Sequence, residues 1–303
     1  MKKIITAFLF SVSFVLAADV AERKKVASHL QNISVTIKAE DDYKKSEGSG
    51  VLIVRTIEEK KVTFVWTAAH VVDNLRSTRE VVDEKGNTRK IVEFKDAQIV
   101  KELVEGGRRV GEIKMDAKVI KYSDYDHGHD LALLMVRATD YGKGSAAFYL
   151  NEKEPIIPIG TRLFHVGSLL GQMGANSMTT GIVAQVGRTL GKSEFDQTTV
   201  TAFPGSSGGG VFLTDGTYVG MLVRGAGEGF NFIVPIRRMR AWAAKNKILW
   251  ALDPSLKTPS LEEIEKYSVE TNNFSASGVK DHSLDRTAPF LIKVTPTSRP
   301  STE

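Results

Sequence analysis

Two periodicities divide the chain. Val20, Lys24, Ala27 and Leu30 recur at helical spacing and predict a short helix over residues 20–31. From Ile33 the period falls to two, with Ile33, Val35 and Ile37 alternating with polar neighbours. Residues 51–54 and 62–66 are further β-rich runs, set off by charged or glycine-containing breaks. Runs of the same kind recur at 90–94, 97–100, 117–122, 131–136, 162–166, 179–186, 198–203, 210–213, 218–223 and 230–234. So many short strands predict an all-β protein, a sandwich or barrel. One late helix is expected up to Lys247, where Pro235 suits a first helical turn and Met239, Trp242 and Ala243 share one side. Its other side carries Arg237, Arg238, Arg240 and Lys245. That face reads as solvated rather than as a nucleic-acid contact, because a like-charge run alone is weak evidence.

The ends and the middle have their own character. Lys2 and Lys3 precede an almost wholly apolar stretch from Ile4 to Leu16, and Val15-Leu16-Ala17 offers small residues for cleavage. About thirteen apolar residues fall short of the roughly twenty that a spanning helix needs. Residues 1–17 therefore read as a signal peptide, and the mature chain as exported, periplasmic or secreted, without a membrane span. A cluster of Gly142, Gly144 and Asn151 marks a break between two successive sets of about six strands. The expected units are 18–141, an N-terminal segment and first barrel, and 142–250, a second barrel with the late helix. Residues 73–118 are unusually charged, with a hairpin turn expected at Glu84-Lys85-Gly86-Asn87, and read as surface β-structure or an extended loop. Residues 251–303 are rich in Ser, Thr, Lys and Glu and read as a polar, loosely packed tail.

Composition narrows the chemistry. The 303 residues are 42% hydrophobic and 25% charged, enough to bury cores and too apolar for wholesale disorder. A net charge of +5 is weak evidence for a polyanionic partner, and no nucleic acid is expected. The absence of cysteine excludes disulfides, thiolate zinc sites and a cysteine nucleophile. Any chemistry must use oxygen and nitrogen.

Three separated motifs supply such groups: Trp66-Thr67-Ala68-Ala69-His70, Asp130-Leu131-Ala132-Leu133-Leu134, and Gly205-Ser206-Ser207-Gly208-Gly209. A serine hydroxyl is a poor nucleophile at neutral pH and needs an imidazole to accept its proton. The imidazole in turn needs a buried carboxylate to fix its tautomer and stabilise its charged form. Glycines beside the serine let the backbone turn so that amide N–H groups face a developing oxyanion. Singly each motif is modest; together, in the order His, Asp, Ser on a β-rich background, they point to a hydrolytic triad.

The chain resembles the trypsin-like (chymotrypsin-fold) serine proteases, and is most similar to the protease domain of the bacterial HtrA/Deg family. Beyond the three motifs, Gly48-Ser49-Gly50-Val51 resembles the lead-in to the strand before the histidine. Val166-Gly167 through Gly181-Ile182-Val183 and Phe232-Ile233-Val234-Pro235-Ile236 resemble later family segments. The resemblance implies two six-stranded antiparallel β-barrels with the site in the cleft between them. His70 and Asp130 would come from the first barrel and Ser207 from the second. Ser207 would be the nucleophile, His70 the general base and acid, Asp130 its orienter, and the amides of Gly205 and Ser207 the oxyanion hole. Thr201, six residues before the nucleophile, would sit at the base of the primary specificity pocket and favour a neutral, small to medium apolar side chain. The backbone of Val223, Arg224 and Gly225 would pair with a substrate strand. No cofactor or metal is implied, and the partners are polypeptide substrates.

The resemblance has departures. Too few residues follow Lys247 for the family's usual PDZ domains, and the trimer common in the family does not carry over without its contact residues. Ser206 stands where an aspartate pairs with the new N-terminus in enzymes activated by propeptide cleavage, so no such step is expected and the oxyanion loop must be ordered otherwise. Asp124 and Asp126 are alternatives to Asp130, but neither begins an apolar strand. A metal site at Asp126, His127, His129 and Asp130 would compete with the triad. Rival functions are a noncatalytic, chaperone-like binding protein on the same fold, and an esterase.

Overall fold

The computed structural model describes residues 21–270, apart from 42–43, 83–85, 87, 106–107, 127, 226 and 228. The expected signal peptide, most of the expected turn at 84–87, His127 and residues 271–303 lie outside the described residues.

A helix over residues 21–32 (α1) precedes β1 (Ser34–Glu40), β2 (Lys45–Ile57) and β3 (Lys60–Thr67). A one-turn helix α2 (Ala69–Val72) and a 3-10 turn (Asp73–Leu75) follow, then the hairpin β4 (Arg76–Val82) and β5 (Thr88–Phe94). Next come β6 (Ala97–Glu105), β7 (Arg108–Ser123) and β8 (Leu131–Thr139). Strands β1-β2-β3-β8-β7-β6 close into an antiparallel barrel, while β4 and β5 form a separate two-stranded sheet. The charged 73–118 stretch is thus this excursion plus the long β6–β7 hairpin; the excursion and the hairpin's far end are surface β-structure, but Ala97, Ile99, Val100 and Ala117 are buried in the barrel, so the expectation holds only in part.

The second half contains β9 (Arg162–Leu169), β10 (Gly174–Leu190), β11 (Ser193–Thr198), β12 (Gly210–Leu213), β13 (Tyr218–Gly225) and β14 (Asn231–Pro235). In the order β10-β11-β14-β13-β12-β9 they close a second barrel around Leu163, Val183, Val200, Val211, Leu222 and Ile233. The strand expected at 198–203 is displaced: pairing ends at Thr198, and 199–203 run as irregular chain. Apolar Val200 and Phe203 suggested a strand there, but Asn231 Nδ2 donates to the Val200 carbonyl at 2.7 Å and takes the segment out of ladder register.

Helix α3 (Ile236–Lys245) buries Ile236, Met239, Trp242 and Ala243. Its basic side is not simply solvated. Arg237 pairs with Glu194 and Asp196, and Arg240 with Glu152. Arg238 lies 4.7 Å from the centre of the Phe195 ring and donates to the Glu194 carbonyl. Arg237 and Arg238 clamp the helix to β11, and Arg240 ties it to the segment between β8 and β9.

The segment expected to be a loose tail is structured as far as Glu270. A 3-10 turn (Leu249–Ala251) and α4 (Leu261–Glu265), which Ser260 and Glu263 cap reciprocally, lie against the first barrel. Trp250, Leu252 and Ile264 are buried there, and Trp250 packs edge-on to Phe64 at 4.9 Å. Trp66 Nε1 donates to the Ala251 carbonyl, the Tyr122 amide to Val269, and Arg76 holds Glu270 at 2.7 Å. Few, widely spaced apolar anchors do this work, which is why periodicity missed them.

Candidate active site

His70 lies in α2, immediately after β3 ends, and Asp130 is the residue before β8. Adjacent pairing of β3 with β8 brings Thr67 opposite Ala132, so the ends of these strands deliver both side chains to one place. Asp130 adopts φ +56°, a left-handed conformation that Asp tolerates better than most residues. Its carboxylate receives the His70 backbone N–H at 3.1 Å and meets His70 Nδ1 at 3.0 and 3.1 Å. Asp130 is 1% exposed. Burial pushes its pKa up, but the His70 charge and hydrogen bonds, with Arg224, outweigh this and hold it below the usual carboxylate range. The ring is therefore held by a fixed anion, and its Nε2 is buried without a partner among the described residues.

Ser207 is 3% exposed, in the loop before β12. Two glycines shape that loop. Gly205 has φ +95° and Gly208 φ +86°, and a Cβ would stand 2.3 Å from the Ser168 carbonyl oxygen at the first and 2.1 Å from that of Ser49 at the second. No side chain fits either place. The Ser207 hydroxyl points toward the Val223 carbonyl at 3.5 Å, a long contact, and makes no hydrogen bond to His70. A rotation about one side-chain bond separates this arrangement from one aimed elsewhere.

The loop around Ser207 is ordered by groups to which the sequence assigned no such role. The Leu170 amide donates to the Pro204 carbonyl at 2.7 Å, and the trans peptide then turns the Gly205 N–H the opposite way. Ser49 Oγ donates to the Gly205 carbonyl and accepts the Ser168 amide, both at 2.7 Å. The Ser49 amide donates to the Ser207 carbonyl, also at 2.7 Å. Ser206, fully buried, accepts the Phe203 amide through its hydroxyl and donates its own amide to Phe203. Among the described residues the amides of Gly205 and Ser207 have no acceptor. Ser49 stood inside the quoted Gly48-Ser49-Gly50 motif, so a signal was present; Leu170 acts through its backbone and left none.

The remaining expected residues fall around this loop. Thr201 is exposed, and its carbonyl accepts the Thr179 hydroxyl at 3.0 Å. Val223, Arg224 and Gly225 end β13 beyond its pairing with β12, which stops at Gly210 opposite Met221. The ladder with β14 skips Val223, a bulge that turns the Val223 carbonyl toward Ser207. Asp124 offers its carbonyl to the Asp130 amide and Asp126 donates its amide to Asp124, so they brace the loop before Asp130. His129 accepts from Arg238 at 3.4 Å; burial, then the charges of Arg238 and Lys245, push its pKa down to about 4. Beneath the Ser207 loop lies fully buried His165, whose Nδ1 donates to the Gly210 carbonyl at 3.0 Å. Burial likewise brings it down to about 4.

Known proteins share this fold. A segment of 128 residues is 32% identical to the serine protease Do-like HtrA of Lactococcus lactis subsp. cremoris, covering 39% of this chain. The chain spans only 28% of that curated relative's length. Among solved structures, Deg5 has a TM-score of 0.52 at 19% identity, covering 77% of this chain and 97% of Deg5. A serine endoprotease from Yersinia pestis gives 0.51 at 18% identity, covering 75% and 66%. HtrA-type protease AlgW with tripeptide gives 0.53 at 17% identity, covering 75% and 63%. At such identities these structures establish the fold. Residues 48–221, more than half the chain, match the model of the trypsin-like peptidase domain, and with both barrels in place the chain belongs to that family.

Proposed function

We propose that the chain is an exported serine endopeptidase that cleaves unfolded or extended polypeptide through Ser207, His70 and Asp130. The observation carrying this reading is the buried Asp130–His70 pair, with Nε2 left unpartnered, in the same site as a serine set between two glycines of obligatory positive φ. Ser207 Oγ forms a bond to the substrate carbonyl carbon while its proton passes to His70 Nε2. The carbonyl oxygen takes the negative charge, facing the Gly205 and Ser207 amides. Collapse breaks the C–N bond, and His70 returns the proton to the departing amine. Water, deprotonated by His70, then releases the acyl group and restores the serine. Asp130 keeps the proton on Nδ1 throughout. The division into 1–17, 18–141, 142–250 and 251–303 is retained as a proposal, with 251–270 reassigned to the folded unit. The exported location rests on the leader pattern of residues 1–17. In the AlgW structure a tripeptide is present, which supports an extended peptide as the ligand here.

One observation favours a second reading, a noncatalytic binder: Ser207 Oγ faces Val223 instead of His70. A fluorophosphonate separates the two. Labelling of the mature protein near pH 8, abolished in Ser207→Ala, with casein digestion lost in parallel, is the expected result. Absence of labelling and digestion would leave the binder, and labelling without peptide cleavage would indicate an esterase.

A further inference from the structure

The proposed peptidase site has a cation in its wall whose hydrogen-bonding donors its chemistry leaves largely unspent. Arg224 follows Val223, the residue whose carbonyl faces the Ser207 hydroxyl. Its guanidinium donates to the Tyr125 carbonyl at 3.2 Å and lies 5.5 Å from the centre of the Phe195 ring. The Tyr125 ring meets the His70 ring edge-on at 6.1 Å. Arg224 is half-buried and shares Tyr125 with His70, so it lies in the wall that adjoins the His70–Asp130 pair. Among the described residues no carboxylate comes within salt-bridge distance of it. Asp130, the acidic group on which it acts, is already engaged by His70. Arg238, on the same aromatic ring, differs: it donates to backbone carbonyls and to His129. A guanidinium has five donors, and among the described residues that of Arg224 makes one hydrogen bond.

Sheet geometry says what would stand opposite. Leu222 is hydrogen-bonded to both Gly208 and Gly209, so the edge of β13 is open only from Val223 to Gly225. The substrate residue whose carbonyl Ser207 attacks must lie beside Val223. Its upstream neighbours can then follow the open edge only toward Gly225, which makes the pairing antiparallel. The residue immediately upstream of the cleaved bond's acyl residue falls directly across from Arg224. Side chains directly opposite in an antiparallel pair share one face, with Cβ atoms about 5 Å apart.

We infer that Arg224 selects substrates with Asp or Glu at the position immediately before the residue that supplies the scissile carbonyl. The inference rests on the peptidase reading and adds the substrate class to it. A carboxylate there meets a planar donor group whose desolvation is already partly met by Phe195, the setting in which an ion pair discriminates between partners.

The test uses the mature protein with peptide pairs identical except for Glu, Gln or Lys at that position. Cleavage sites in an unfolded casein digest are mapped in parallel. The expected wild-type preference for Glu over Gln is about tenfold in kcat/KM, equivalent to about 1.4 kcal/mol, and it shrinks at high salt. Arg224→Gln should bring the ratio near one, and Arg224→Glu should make Lys the preferred residue. Because each ratio is internal to one variant, a general loss of rate through Asp130 does not move it. Cleavage by wild type with no Glu preference, or a preference that survives Arg224→Gln, overturns the inference and leaves the peptidase reading intact. No cleavage together with no fluorophosphonate labelling overturns both.

Discussion

Replacing Ser49 by alanine removes one hydroxyl and strands two groups. The side chain is fully buried, donates to the Gly205 carbonyl and accepts the Ser168 amide, so Ser49→Ala leaves a carbonyl and an N–H unpaired in the seam between the barrels. Each stranded group costs about 1–3 kcal/mol. The expected loss of stability is about 2–6 kcal/mol, a large part of the roughly 5–15 that holds a domain together. The Ser49 amide still donates to the Ser207 carbonyl and Leu170 still holds Pro204, so the loop is loosened without being released. Loss of a whole oxyanion donor costs about a hundred- to a thousandfold in kcat. A loosened one should cost about ten- to a hundredfold, with little change in KM because ground-state binding along β13 is untouched. Urea unfolding followed by fluorescence of the buried Trp66, Trp242 and Trp250 gives the stability. Ester hydrolysis, with active sites titrated, gives kcat. An unchanged unfolding midpoint would refute the reasoning about stranded groups. A kcat loss that merely tracks the unfolded fraction would refute the link to the oxyanion loop.

Two further outcomes follow from burial. His165 has its folded pKa at about 4 against an ordinary 6.5, so the unfolded chain binds the extra proton between those values and stability falls as pH drops from about 6.5 to 4. The contribution approaches about 3 kcal/mol at pH 4. His165→Asn, which retains a donor for Gly210, should flatten that limb of a pH series of unfolding midpoints; an unchanged slope would count against it. Trp250→Ala should cost about 3–5 kcal/mol, because it opens a cavity against Phe64. A midpoint shift below about 0.5 kcal/mol would mean that the 249–270 segment is not integral to the first barrel.

The strand runs, the late helix and the three chemical motifs were legible because each is local. Alternation at Ile33, Val35 and Ile37 reports a half-buried strand wherever it occurs, and glycine at 205 and 208 reports a turn no other residue can make. Less legible were features whose cause lies far along the chain. The arginines of α3 looked solvated because Glu152, Glu194 and Asp196, which receive them, are more than forty positions away. Residues 251–270 looked loose because Trp250, Leu252 and Ile264 are too sparse to show a period. The 198–203 strand was misplaced because Asn231, not the segment's own side chains, sets its path.

The sequence by itself determined which residues alternate, where glycine is required, and that oxygen and nitrogen must do any chemistry, since these depend on the nature of each side chain and its near neighbours. The tertiary structure alone decided that Asp130 meets His70, that Ser49 and Leu170 steady the serine's loop, and that the Ser207 hydroxyl turns to Val223. Such contacts depend on which strands close each barrel and how the barrels abut. Distance and burial between positions up to 195 apart are properties of the packed chain, not of any stretch within it.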